Sequence, residues 1–189
     1  MAQRETLFNA AGALKQQFGR LDVLVSNAMW VRYGPIDDLT PEAVQRMVGT
    51  GFNSVVWGIQ AASAHMDRGG SVINIASAAA FLGIPQAMIY CGVKAGVLGL
   101  TRSAAVDLGP RGIRVNAIQP CQVRTPMFDA FVATQGPLLE RMLRGIPMKR
   151  LALPEDVAAA VHFLVSDAAA IHAAHHAGTP VVVRASTAE

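Results

Sequence analysis

Cysteine, aromatic residues and runs of charge are all scarce in this sequence of 189 residues. The two cysteines, Cys91 and Cys121, stand far apart, and neither belongs to a Cys-x-x-Cys pair. This pattern predicts neither a zinc site nor a disulfide framework, and a reducing cytoplasm is the expected location. Charged residues make up 15% of the chain, and Lys and Arg are scattered singly. We therefore expect no nucleic-acid partner.

The sequence also lacks the segments that direct a protein into or across a membrane. Its start is polar and amphipathic, without the apolar core and small-residue cleavage site of a secretory signal. The uncharged stretch 69–93 contains asparagine, glutamine, proline and interior glycines, which a lipid-facing helix would not carry. We expect no membrane span. The mean hydropathy of +0.34 instead predicts apolar surface that a partner subunit covers.

Helical and extended patterns alternate along the chain, with no repeat or linker between them, so we treat residues 1–189 as one domain. Apolar spacing, caps and breakers predict helices and strands in turn: helices over 3–18, 40–66, 85–108, 137–144 and 154–166, and strands over 21–25, 71–75, 113–118 and 180–184. Residues 119–136 have the composition of a long, functional loop. This alternation predicts an α/β fold with a mainly parallel sheet.

Three side chains are candidates for chemistry: Ser77, Tyr90 and Lys94. Ser77 lies at the carboxyl end of a predicted strand, where open α/β sheets place their ligand crevice. Tyr90 and Lys94 are one helical turn apart and share a face, so the ammonium is expected to lower the pKa of the phenol. A serine hydroxyl at the neighbouring strand end would hold a substrate oxygen against the tyrosine. An isolated Tyr-x-x-x-Lys pair, however, is more often an ordinary helix surface.

Together with their flanking segments, these residues resemble the short-chain dehydrogenases/reductases. Ser77, Tyr90 and Lys94 have the spacing of that family's active site. Further blocks resemble the strand before the family's Asn-Asn-Ala-Gly turn, the segment that holds the nicotinamide, and a late helix: residues 18–28, 114–126, 154–158 and 163–167. The resemblance implies a Rossmann-like, doubly wound fold and an oxidoreductase that uses NAD or NADP on a small secondary alcohol or ketone.

The same resemblance assigns a role to each residue. Tyr90 would be the general acid/base, Lys94 would lower its pKa and bind the nicotinamide ribose, and Ser77 would orient the reacting oxygen. Other positions contact or bracket the cofactor in the family, and here they are Asn27, Val123, Thr125 and again Tyr90 and Lys94. The long helices, 40–66 and 85–108, would join copies of the chain in a homo-oligomer.

The sequence departs from the family at its amino end and at several site positions. Family members begin with a strand and a glycine-rich turn that receives the pyrophosphate, and no such segment precedes Ser26. We therefore expect the first strands of the nucleotide-binding half to be absent and turnover by this chain to be weak or absent. Gly51 stands where the family has an active-site asparagine, and Met29 where it has a glycine. The choice between NAD and NADP stays open because its selector belongs to the absent segment.

Two alternatives to an enzyme stay open. The chain is then either a non-catalytic interaction protein that dimerises through its long helices, or an incomplete reading frame whose start lies upstream. Three histidines have metal-like spacing, but no carboxylate or cysteine accompanies them, and we predict no metal site: His172, His175 and His176. The apolar residues Met127, Phe128 and Phe131 predict a mobile lid.

Overall fold

A three-stranded parallel sheet forms the centre of the computed structural model, which describes residues 3–134 and 136–172. The strands lie side by side in chain order: β1 (Val23–Ser26), β2 (Gly70–Ile75) and β3 (Ile113–Ile118). Ser26 is in register with Asn74, and Asn74 with Ala117, so the three strands end at one edge. The predicted parallel α/β fold is confirmed. The predicted strand 180–184 lies outside the described residues.

Seven α-helices accompany the sheet in the described part of the chain: α1 (Arg4–Phe18), α2 (Pro41–Val48), α3 (Ser54–His65), α4 (Met88–Leu108), α5 (Pro126–Ala133), α6 (Leu138–Gly145) and α7 (Pro154–Val165). Successive strand residues face opposite sides, so Val72 packs with α3 and α4 while Ile73 packs against Leu164 of α7. Helices therefore cover both faces of the sheet. None of these helices has the length and apolar character needed to span a bilayer.

Two helices begin with the same cap, a threonine followed by a proline. The Thr40 hydroxyl accepts a hydrogen bond from the Ala43 N–H (3.3 Å), and the Thr125 hydroxyl accepts one from the Phe128 N–H (3.2 Å). Proline suits the first helical position because its missing N–H would have no partner there. The prediction of a loop over 119–136 is therefore wrong for α5, whose start carries the signal that correctly predicts α2.

The helix predicted over 40–66 is present, but it widens into a single π turn at Gly49–Asn53 between α2 and α3. The Thr50 hydroxyl donates to the Arg46 carbonyl (2.7 Å), and the Ser54 hydroxyl donates to the Thr50 carbonyl (2.6 Å). Side-chain bonds of this kind compete with the regular backbone ladder and bend helices. The wide turn reshapes the helix where it passes the carboxyl end of β1.

Small residues in α4 let the wide turn pack closely against it at one position. A Cβ on Gly96 would lie 2.7 Å from Cε2 of the Phe52 ring. A Cβ on Gly92 or Gly99 would meet no described atom within 4 Å beyond the neighbouring backbone of its own helix. Close packing therefore explains the glycine at position 96, whereas the other two face open space.

Candidate active site

Ser77 sits where the segments after β2 and β3 meet, at the carboxyl edge of the sheet. Its side chain is buried, and its hydroxyl accepts a hydrogen bond from the Ala79 N–H (3.1 Å). The neighbouring Ala78 N–H donates to the Pro120 carbonyl (3.0 Å), which joins the two segments. These bonds fix the hydroxyl at the edge where parallel sheets bind their ligands.

Helix α4 brings Tyr90 and Lys94 to the same place. Ser77 lies close enough to Tyr90 to lower the pKa of the phenol, and Lys94 Nζ lies 5.8 Å from the centroid of the Tyr90 ring. The two residues are one turn apart, so they project from one face of the helix. The structure thus places all three predicted side chains in one cluster.

The protonation of this cluster differs from the sequence-based expectation. Burial raises the pKa of Tyr90, and the nearby Ser77 side chain opposes only part of that rise. Lys94 does not bond to the phenol: its Nζ donates to the Ile75 carbonyl (2.6 Å), and its pKa falls to about 8 because it is 5% exposed. Desolvation outweighs the expected effect of the ammonium. Tyr90 is therefore a protonated phenol near neutral pH, suited to giving a proton.

The residues predicted to contact a cofactor lie along the same edge of the sheet. Asn27 follows β1 and is exposed. Val123 bridges to Ala152, but the two hydrogen bonds of that bridge use the Arg124 N–H and the Gln122 carbonyl, so the bridge leaves the Val123 N–H and carbonyl unused. Thr125 caps α5.

These groups suit the nicotinamide end of a dinucleotide. An ammonium has three donors, and Lys94 uses one of them on Ile75. The unused donors suit ribose hydroxyls, and the unused backbone groups of Val123 suit a carboxamide. The donor set therefore fits the cofactor that the resemblance implies.

The side chain of Met29 fills the space beside Gly51. A Cβ on Gly51 would collide with the Met29 sulfur and lie 2.7 Å from Cγ1 of Val93. The methionine side chain thus occupies the space above Gly51, next to α4. The position where the family has an active-site asparagine has no room for a side chain in this chain.

A second phenol, Tyr33, lies beside Tyr90, and the sequence analysis missed it. The ring centroids are 5.9 Å apart and the rings meet edge to face at 72°. Tyr33 follows β1 by a short loop, and an aromatic residue just beyond the carboxyl end of a parallel strand is the signal that would have found it.

Of the three histidines considered above, His172 is in the described part of the chain. Its carbonyl accepts a hydrogen bond from Nδ2 of Asn116 (2.7 Å), and its ring packs edge-on against Phe163. His175 and His176 lie outside the described residues. Residue 172 therefore has a packing role at the end of β3.

Comparison with known proteins extends this picture. A family model described as enoyl-(acyl carrier protein) reductase matches residues 1–177. A diacetyl reductase [(S)-acetoin forming] of Staphylococcus aureus is 38% identical over 175 residues, covering 87% of this chain and 68% of that protein. A D-threitol dehydrogenase of Mycolicibacterium smegmatis is 36% identical over 164 residues, covering 86% of this chain and 62% of that protein.

A solved structure is also similar to this chain. A short-chain dehydrogenase of Burkholderia cenocepacia in complex with NADP has a TM-score of 0.83 and 30% identity, covering 91% of this chain and 69% of that one. This chain belongs to the short-chain dehydrogenase/reductase family.

Proposed function

We propose that this chain is an NAD(P)-dependent oxidoreductase that interconverts a small secondary alcohol and the corresponding ketone. The observation that carries the proposal is the cluster at the carboxyl edge of the sheet: a buried hydroxyl on Ser77, the phenol of Tyr90 beside it, and the buried amine of Lys94 one helical turn away. A proton donor, a hydroxyl that orients the substrate and a cation are the groups that carbonyl reduction needs.

In the direction of reduction, Ser77 and Tyr90 act on the same substrate oxygen. Ser77 donates a hydrogen bond to the carbonyl and holds it against the phenol. Tyr90 then gives its proton to that oxygen as the carbon is reduced, and the C=O bond becomes C–OH. The phenol of Tyr90, whose pKa lies above its ordinary value, carries its proton at neutral pH and is therefore in the protonation state that reduction needs. The tyrosinate that forms lies near the Lys94 amine, whose positive charge stabilises it.

A bound reduced nicotinamide would supply the hydride to the carbonyl carbon. The residues that would hold its nicotinamide and ribose are Lys94, through its free donors, and Val123, through its free backbone groups, with Asn27 and Thr125 beside them. The Burkholderia relative is described in complex with NADP. Either NAD or NADP is consistent with these residues, which would contact the half that the two cofactors share.

The relatives support a substrate class as well as a reaction. They are named for acetoin and D-threitol, compounds whose oxygens stand on neighbouring carbons. We take diacetyl as the first test ketone and 2-butanone, which lacks the second oxygen, as the comparison ketone. The assay follows the loss of reduced-nicotinamide absorbance with NADH and with NADPH. The sequence leads us to expect weak or absent turnover, whereas the proposed function requires measurable turnover, so the chain is used at high concentration.

The matched variants are Tyr90→Phe, which removes the proposed proton donor, and Ser103→Ala on the exposed side of α4. Tyr90→Phe is expected to lower the rate by about 100-fold or more, the range for a general acid. Ser103→Ala should leave it unchanged. A rate in Tyr90→Phe equal to that of the unaltered chain, or no turnover of either ketone by the unaltered chain, would contradict the proposed function.

The helices expected to join copies of the chain also offer a surface for doing so. Gly92 and Gly99 of α4 face open space, and Val106 is 56% exposed. Small and apolar residues on one helix face support close packing of a second copy. Sedimentation velocity tests this: a dimer that Val106→Glu dissociates is expected, and a monomer at all concentrations would contradict it.

A further inference from the structure

The short loop after β1 places a second phenol, that of Tyr33, beside the cluster of Ser77, Tyr90 and Lys94. Tyr33 is 48% exposed, and its hydroxyl makes no hydrogen bond to any residue in 3–134 or 136–172. The sequence contains two tyrosines, and they are this residue and Tyr90. A polar group without a protein partner at the entrance of a ligand site is available to a ligand.

The backbone holds this loop in place at some conformational cost. The Gly34 N–H donates to the Gln86 carbonyl (3.0 Å), which ties the loop to the segment before α4. Gln86 has a positive φ of 61°, a conformation that residues other than glycine rarely adopt. Strained backbone of this kind persists where the surrounding structure enforces it, and it clusters at ligand sites. Tyr33 is therefore held beside Tyr90 by a specific backbone contact.

The segment that leads into the helix of Tyr90 is apolar and solvent-exposed. Its large side chains are more than two-fifths exposed: Phe81, Leu82, Ile84 and Met88. A ligand that enters between such residues finds few polar groups, and those few decide its orientation. The ring centroids of Tyr33 and Tyr90 are 5.9 Å apart, so one small molecule can touch both.

We propose that Tyr33 determines substrate specificity by donating its hydroxyl to a second oxygen of the substrate, on the carbon next to the reacting carbon. This inference rests on the proposed function of Tyr90 as proton donor. Tyr33 stays a donor under all working conditions, because burial and the charges of Tyr90 and Cys91 raise its pKa to about 12. The substrates it favours are 2-hydroxyketones, 1,2-diketones and vicinal diols.

The kinetic test compares diacetyl with 2-butanone in the unaltered chain and in Tyr33→Phe, which keeps the ring and removes the hydroxyl. The ratio of kcat/KM for diacetyl to kcat/KM for 2-butanone should fall by roughly three- to tenfold, the value of one neutral hydrogen bond. Tyr33→Leu, which also removes the ring, separates packing from hydrogen bonding. If Tyr33→Phe keeps the original ratio, the inference is wrong, whatever Tyr33→Leu does.

A binding measurement separates failure of this inference from failure of the proposed function. Ligand-observed NMR compares the binding of acetoin and 2-butanol by the chain without cofactor. If neither ketone is reduced but acetoin binds better and Tyr33→Phe removes the preference, Tyr33 recognises the second oxygen and the proposed activity is wrong. If ketones are reduced but the ratio does not depend on the Tyr33 hydroxyl, the activity stands and the inference falls. If the chain shows neither turnover of a ketone nor a preference for acetoin, both the proposed function and the inference about Tyr33 are wrong.

Discussion

Replacement of Lys94 by methionine tests the unusual state of the buried amine. Lys94 is 5% exposed, donates to the Ile75 carbonyl at 2.6 Å and has a pKa lowered by burial from 10.5 to about 8. The unfolded chain keeps the proton up to about pH 10.5, whereas the folded chain releases it above about pH 8. Between these values the unfolded state holds more protons, so stability rises with pH.

The size of the effect follows from the two pKa values. One pKa unit corresponds to about 1.4 kcal/mol, and the full shift therefore to about 3 kcal/mol. Between about pH 7 and about pH 9.5, roughly 2 kcal/mol of this gain should appear. Lys94→Met has no such proton, so its stability should lack that component. Subtraction of the two curves removes the contribution of tyrosines and cysteines that titrate in both proteins.

The assay is urea unfolding of both proteins at a series of pH values. The unaltered chain should gain about 2 kcal/mol relative to Lys94→Met over this range. Parallel curves would show that the Lys94 ammonium is solvated, and a relative loss would show that its site favours the charge. Either result would refute the burial of the amine on which the account of the cluster depends.

Two further predictions concern packing around the site. Gly51→Ala should lower the free energy of unfolding by about 1–3 kcal/mol because the new Cβ meets Met29. Gly12→Ala, inside α1 and with only an ordinary contact to His65 at 3.5 Å, should be neutral or stabilising by roughly 0.5–1 kcal/mol. Equal effects of the two substitutions in urea unfolding would contradict the packing of Met29. Tyr90→Phe should lower the pKa of Tyr33 from about 12, since the charge of Tyr90 adds to the larger effect of burial. A Tyr33 phenolate that still forms near pH 12 in this variant, followed by absorbance, would show that the rings are not paired.

Local signals in the sequence predict most of the fold. The cap at Thr40, the β-branched strand 71–75 and the break after Leu108 place the elements around the cluster within a few residues. The loop predicted at α5 is wrong although Thr125 carries a cap, because the apolar helix behind it is short. The π turn depends on contacts between Thr50 and distant residues such as Trp30, whose N–H donates to its hydroxyl, and local spacing does not report them.

The sequence predicts which residues form the site, but it does not predict their protonation. The spacing of Ser77, Tyr90 and Lys94 predicts that they meet, since a strand end and one helix face converge at a parallel sheet edge. The spacing of residues along the sequence does not show which side chains lose their contact with water on folding. Burial of Lys94 turns its amine to the Ile75 carbonyl, and Tyr33 reaches the site through a loop fold that no periodic pattern encodes.

The most direct test of the central claim is a double-variant cycle on Ser77 and Tyr90, read as the rate of ketone reduction. If both hydroxyls act on one substrate oxygen, Ser77→Ala and Tyr90→Phe each remove most of the rate, and the double variant is no slower than the slower single variant. Independent effects that multiply in the double variant would show that the two residues do not form one catalytic unit.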